Sequence, residues 1–190
     1  MKAIMISIKP KWCAKIMNGD KTIEVRTSKA LARAIQKLID KYGHADIYAY
    51  CSKDTKNLLH KNYADIYWGE DEDFRNKNKQ LGLQTQPILN GKVLFKFRCY
   101  RVDEIDHWYP ITPCFEQTCL SLLEFDNYIG SEIGYAINIS DLEIFDKPKE
   151  LSEFGKCQLL WNCVPHNCQE CPALVRLTKA PQNFCYLEVE

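Results

Sequence analysis

The chain has 190 residues, 46% of them hydrophobic, and a formal net charge of zero. That size fits one domain with a real core, and the sequence has no apolar run of about 18 residues, which excludes a membrane-spanning helix. A uniformly basic or acidic protein is also excluded, although the signs are unevenly spread. Residues 1–101 hold twenty Lys and Arg against ten Asp and Glu, residues 102–155 hold two against twelve, and residues 156–190 hold three against three. A basic first half attracts phosphates if its charges cluster in space; otherwise both stretches are ordinary solvated faces.

The N-terminal "MKAIMISIKP" alternates and lacks an apolar h-region and a cleavage site. It reads as a first strand, not a signal peptide, and a cytoplasmic setting is expected. The ten cysteines are then expected to be thiols or metal ligands rather than disulfides. Pro10 ends the first strand and suits the first turn of a short helix over "KWCAKIMN". Gly19 stops that helix in the left-handed conformation. "KTIEVR" is the second strand, with Ile23 and Val25 on one face and Thr22, Glu24 and Arg26 on the other.

Ser28 suits the N-cap of a helix whose Leu31, Ile35, Leu38 and Ile39 fall at helical spacing. Gly43 ends it, and "ADIYAYC" is a third strand. "NLLHKNYADIYW" reads as helical, and "GEDEDFRNKNKQLGLQTQ" as a mobile inserted loop. "GKVLFKFRCY" is a strand with Lys92, Lys96 and Arg98 on one face. Those three suit a phosphate track or the solvated side of an edge strand. Ser121 and Glu124 form a capping box for a short helix ending at Gly130. "GYAINISDLEIF" is a strand pair or one long bent strand, and "NFCYLEV" is a closing strand. Short, alternating, half-buried strands with two or three helices predict an α+β fold: a mixed or antiparallel sheet curled into a small barrel with helices outside.

These stretches together resemble a known family. "ISIKPKWCAKIMNGDKTIEVR" is similar to the N-terminal signature of the ASCH domain, a relative of the PUA domain of RNA-modification proteins. Gly19, Lys21, Glu24 and Arg26 match its Gly-x-Lys-x-x-Glu-x-Arg pattern. "NGKVLFKFRC", "GYAINISDLEIFDKPKEL" and "APQNFCYLE" extend the resemblance. It implies a PUA-like β-barrel over residues 1–190, with insertions at about 53–88 and 107–130 and a Cys-rich loop at 157–171. It also implies a cleft near Lys21, Glu24 and Arg26, and RNA, a nucleotide or a modified nucleoside as ligand. Some members of the superfamily are amidohydrolases acting on N4-acetylcytidine, and others are reported as ribonucleases. Where the amidohydrolases place a nucleophilic Thr, this chain has Glu24.

Read as residues alone, Arg26 offers a planar fork of donors and Lys21 a compact cation. Glu24 suits an exocyclic amine such as cytosine N4, or general-base work on water with Lys21 steadying an oxyanion. Lys9, Trp12, Tyr50, Ser52, Ser140 and Gln182 are further ligand candidates, Trp12 as a base-stacking surface. The bland alternative is an exposed salt-bridge cluster. Three functional readings follow: an RNA- or nucleotide-binding module with a basic cleft, a hydrolase worked by Lys21 and Glu24, and a protein-interaction domain whose partner surface is the acidic segment 102–155.

"CQLLWNCVPHNCQEC" holds a separate constellation. Cys168-x-x-Cys171 has the knuckle spacing that lets two thiolates reach one zinc, and Cys157 with Cys163 completes a set of four, with His166 as an alternative ligand. The set is a closed structural zinc site or a loop of free thiols. Metal analysis of the purified protein decides between them: one zinc per chain under the first reading, none under the second.

Overall fold

The computed structural model describes residues 2–54, 57–62, 65–70, 88–157 and 174–189. The N-terminal strand β1 (Lys2–Ile8) leads into helix α1 (Pro10–Met17), with Pro10 in its first turn. Gly19, at φ 82°, turns the chain toward β2 (Ile23–Arg26). Ser28 then caps α2 (Lys29–Tyr42), its side chain accepting from the Leu31 amide. Gly43, at φ 80°, closes that helix and feeds β3 (Ala45–Cys51).

β3 lies parallel to β1, as a strand–helix–strand–helix–strand crossover requires. The segment expected to be helical is instead an antiparallel hairpin, β4 (Asn57–Asn62) and β5 (Asp65–Glu70). Its buried Leu59 and Ile66 join the core beneath α1, and the Asn18 side-chain amide donates to the Ile66 carbonyl at 3.1 Å. Two buried positions, one on each arm, are what a hairpin laid on a helix needs. The expected mobile loop that follows lies outside the described residues.

β6 (Val93–Cys99) and β7 (Val102–Ile105) run on into short 3-10 turns at Tyr109–Ile111 and Phe115–Thr118. Next come α3 (Leu122–Ile129), β8 (Gly134–Asn138) and β9 (Ser140–Lys149). After a 3-10 turn at Leu151–Glu153, β10 (Gly155–Cys157) pairs with β11 (Leu174–Arg176), and β12 (Phe184–Glu188) closes on β1.

Two main sheets result: five strands in the order β12-β1-β3-β6-β9, and three in the order β2-β8-β7. β6 pairs with β9 while β7 pairs with β8, so one bent antiparallel ribbon passes through both sheets. "GYAINISDLEIF" is thus a strand pair, β8 and β9, parted at Ile139, with Asp141 at φ +47° near the start of β9. The fold is mixed α+β. The expected barrel is not closed by the described pairings, which leave the two sheets joined along that ribbon only.

The strands are also more buried than their alternation predicts. On β1, Ile4, Ile6 and Ile8 meet α1 and α2, while Ala3 and Met5 meet a second cluster with Val93, Phe154, Leu177 and Leu187. The C-terminal segments cover the face that a half-buried sheet would leave wet. α3 packs Phe125 and Ile129 on Ile23, Val25 and Ala136 of the smaller sheet. The described cysteines Cys13, Cys51, Cys99, Cys114, Cys119 and Cys185 are free thiols. Of the zinc candidates, Cys163, His166, Cys168 and Cys171 lie outside the described residues, as does the Cys157 side chain. None of the described helices is long and apolar enough to cross a membrane.

Two predictions follow from these elements. A Cβ on Gly43 would meet nothing within 4 Å, so Gly43→Ala tests the left-handed backbone alone. Denaturant unfolding should show a loss of about 1–2 kcal/mol. Separately, Lys11 reaches Glu124 at 2.5 Å, tying α1 to α3. Lys11, then the Ser121 backbone amide, pulls the Glu124 carboxyl down to about 2. That stabilisation is present above the ordinary carboxylate pKa and lost as pH falls from there toward 2. Both side chains are about a third exposed, so the contribution is roughly 0–1 kcal/mol. Lys11→Ala should flatten this part of the stability–pH curve; an unchanged curve would show that the pair adds nothing.

Candidate functional site

The turn after α1 drives Lys21 inward. Its backbone amide donates to the Lys15 carbonyl at 3.1 Å, and its side chain is 2% exposed. The ammonium donates to the carbonyls of Ile23 and Thr118, each at 2.7 Å, and lies 3.5 Å from Glu24 Oε2. Burial lowers the Lys21 pKa, and the charge of Glu24 opposes that shift. On β2, period-two alternation sends Ile23 and Val25 into the core with α3 and turns Glu24 and Arg26 to the other face.

Glu24 is 5% exposed. Its Oε1 lies 2.9 Å from Arg26 Nε, although that N–H is not aimed along a hydrogen bond. The far end of the guanidinium donates to the Ser7 carbonyl at 2.7 Å, which pins Arg26 against β1. An ionised carboxylate offers about four acceptor positions. Two cations engage Glu24 here, so part of its acceptor capacity remains. The three ionic residues are therefore a buried, ordered triad and not an exposed salt-bridge cluster.

The triad sits in the wall of an open cleft of about 570 Å³. Of the sequence candidates, Lys9, Trp12, Ser52 and Gln182 line the same cleft. Two cations lie near the Trp12 ring, Lys11 Nζ 4.4 Å and Lys21 Nζ 5.0 Å from its centroid. Tyr50 and Ser140 are not brought there. Tyr50 is buried with Met5, Val93 and Phe154 in the second core, because its strand parity points it away. Ser140 sits opposite Arg98 at the start of β9.

The opposite wall was not read as part of a site. Leu120, Glu124, Asn127 and Tyr128 come from α3 and the residue pair before it. The capping-box motif located Glu124 but assigned it to the helix alone. In the structure its Oε2 accepts from the Ser121 amide while its Oε1 meets Lys11. The spacing 124, 127 and 128 was the available signal, since those positions share one helical face. α3 walls the cleft and does not fill it.

The cleft carries mixed charge. Lys9, Lys21 and Arg26 stand against Glu24 and Glu124 in its lining, and the Lys21 charge is already satisfied within the protein. The cations read on the β6 face as either a phosphate track or the solvated side of an edge strand have acidic partners. Lys96 pairs with Glu143 at 2.9 Å, Arg98 lies 3.5 Å from both Asp46 and Asp141, and Lys92 pairs with Glu150. Nor is β6 an edge: it runs between β3 and β9. Among the described residues no group of His, Cys, Asp and Glu is arranged to hold a metal ion.

No family model matches the chain. It shares 33% identity over 110 residues with a protein named bifunctional methyltransferase-like/endonuclease from Nanoarchaeum equitans (strain Kin4-M). The match takes in 58% of this chain but 27% of that relative, so the chain spans about a quarter of the relative's length. Among solved structures, the ASCH protein of Zymomonas mobilis superimposes with a TM-score of 0.52 at 16% identity, covering 98% of this chain and 87% of the other. A variant of that protein superimposes at 0.54 and 16%, covering 99% and 91%. The chain therefore has the fold of the Zymomonas mobilis ASCH protein, in line with the resemblance of its N-terminal motif.

Proposed function

We propose that the cleft binds one nucleotide unit, free or as a base within RNA. The observation that carries this reading is the Lys21–Glu24–Arg26 triad set beside Trp12 in an open hollow of about 570 Å³. Small-ligand sites commonly run from about 300 to 1,000 Å³. Trp12 supplies a stacking face. Glu24 accepts from an exocyclic amine, and Arg26 holds that carboxylate in place. Lys9, exposed at the rim, meets a phosphate. The ASCH fold and the relative whose name includes an endonuclease agree with a ligand of this class.

A hydrolase acting on a modified nucleoside or on RNA is the second reading. Its support is Lys21, whose pKa is lowered by burial and whose ammonium lies 3.5 Å from Glu24 Oε2. A structural zinc at Cys157, Cys163, Cys168 and Cys171 is compatible with either reading.

One set of measurements tests both. Calorimetric titration at low salt with the four nucleoside monophosphates and a short single-stranded RNA should show binding. Trp12→Ala should weaken it about 5- to 150-fold, the range for losing one stacked base. Glu24→Gln should weaken amine-bearing bases most. Failure of every ligand to bind the wild-type protein would overturn the proposal. The same proteins are then incubated with N4-acylated cytidines and with RNA. Turnover lost in Glu24→Gln supports the hydrolase reading, and turnover unaffected by that change removes Glu24 from the chemistry.

A further inference from the structure

The cations of the first half of the chain meet two different fates. Those on β6 face acidic partners, most of them on and just after β9. Those on α2 face none. Lys29, Arg33, Lys37 and Lys41 recur every fourth residue of α2 and all four are exposed. None of them has an ion-pair partner among the described residues. Lys41 only overlies the Tyr42 ring at 5.0 Å, and the one acid on that face, Asp40, accepts from Gln36 at 2.8 Å.

This is an unfavourable way to build a solvated helix. Like charges four residues apart repel. The first turn holds no acid, and Lys29 stands at the end where the helix dipole disfavours a cation. The same helix is otherwise well finished, with a Ser28 cap and Gly43 at its end.

We infer that the exposed face of α2 is a track for the phosphates of single-stranded RNA, running from the cleft. The rise of about 1.5 Å per residue spaces the four cations by roughly 6 Å, comparable to the step between successive phosphates of one strand. The row begins three residues beyond Arg26, and its cap is joined to the cleft rim. Asn183, next to the cleft residue Gln182, donates to Ser28 Oγ at 2.5 Å. An anionic membrane fits less well. The apolar face of α2, with Leu31, Ile35 and Leu38, is buried in the core, so the helix has nothing to insert beneath the headgroups. The inference rests on the nucleotide reading of the cleft only for its direction; its residues are separate.

The test uses the full chain with all four residues changed to Gln: Lys29→Gln, Arg33→Gln, Lys37→Gln and Lys41→Gln. Removing the repulsion should leave the helical circular dichroism intact and the melting temperature at low salt equal or higher. Anisotropy with a labelled short single-stranded RNA gives the salt dependence of affinity. At about 0.7 per phosphate contact, the four cations contribute about 3 to the log–log slope, or about fiftyfold over a fourfold rise in salt. The variant should lose that slope while its affinity for nucleoside monophosphates stays unchanged. An unchanged RNA slope, no RNA binding by the wild type, or tighter binding to phosphatidylserine vesicles or polyglutamate than to RNA would each overturn the proposal. RNA binding that loses its slope in the variant, with no mononucleotide bound by either protein, upholds the track and removes the cleft reading.

Discussion

The buried ammonium of Lys21 is the contact on which the site depends. It gathers the Ile23 and Thr118 carbonyls and the Glu24 carboxylate around one charge. Those groups come from β2 and from the 3-10 turn before α3. Without the cation, two carbonyls and a carboxylate would face one another in a dry space, and each would keep its desolvation penalty. With it, the signature strand is fastened to a segment almost a hundred residues later. Arg26 repeats the device on the other side, reaching the Ser7 carbonyl on β1 while holding Glu24. Glu24 is therefore fixed from two directions, which lowers the ordering cost of any contact it makes.

The distribution of charge follows from the topology. The ribbon formed by β6–β7 and β8–β9 lays part of the acidic middle of the chain beside part of its basic first half, and the β6 cations are neutralised there. Sequence totals alone could not separate those cations from the ones on α2. Both belong to the same excess of ten positive charges over residues 1–101. Only the register of β6 against β9 shows which of them remain available.

What could be read from the residues was whatever is enforced locally. Pro10 and Gly19 bound α1, Ser28 and Gly43 bound α2, and the Ser121–Glu124 box starts α3, because caps act over three or four residues. The triad was legible because period-two alternation fixes which strand residues share a face. Lys21 itself shows the limit of that reasoning: it precedes β2, and burial and backbone carbonyls, not strand parity, place its charge. The β4–β5 hairpin was misread because its apolar residues fit two periods. What decides between them is the underside of α1, which is distant in sequence. Tyr50 and Ser140 failed as site residues for a related reason. A position near a strand end says nothing about which of two covered faces it meets.

The cleft has two walls of different origin, and this bears on what it selects. One wall is the Gly19–Arg26 motif, the stretch whose sequence resembles the ASCH signature. The other is α3 and the turn before it, within the stretch expected to be an insertion. Glu124 links the two through Lys11, and the same carboxylate also completes the cap of its own helix. One carboxylate thus serves both the helix cap and the bridge to α1. The first wall supplies a fixed carboxylate and guanidinium that many base-like ligands could use. Facing it across about 570 Å³ of space is the second wall, where Asn127 and Tyr128 are polar side chains outside the ion pairs. On the nucleotide reading proposed above, selectivity would rest less on the Gly19–Arg26 motif than on the short helix placed opposite it.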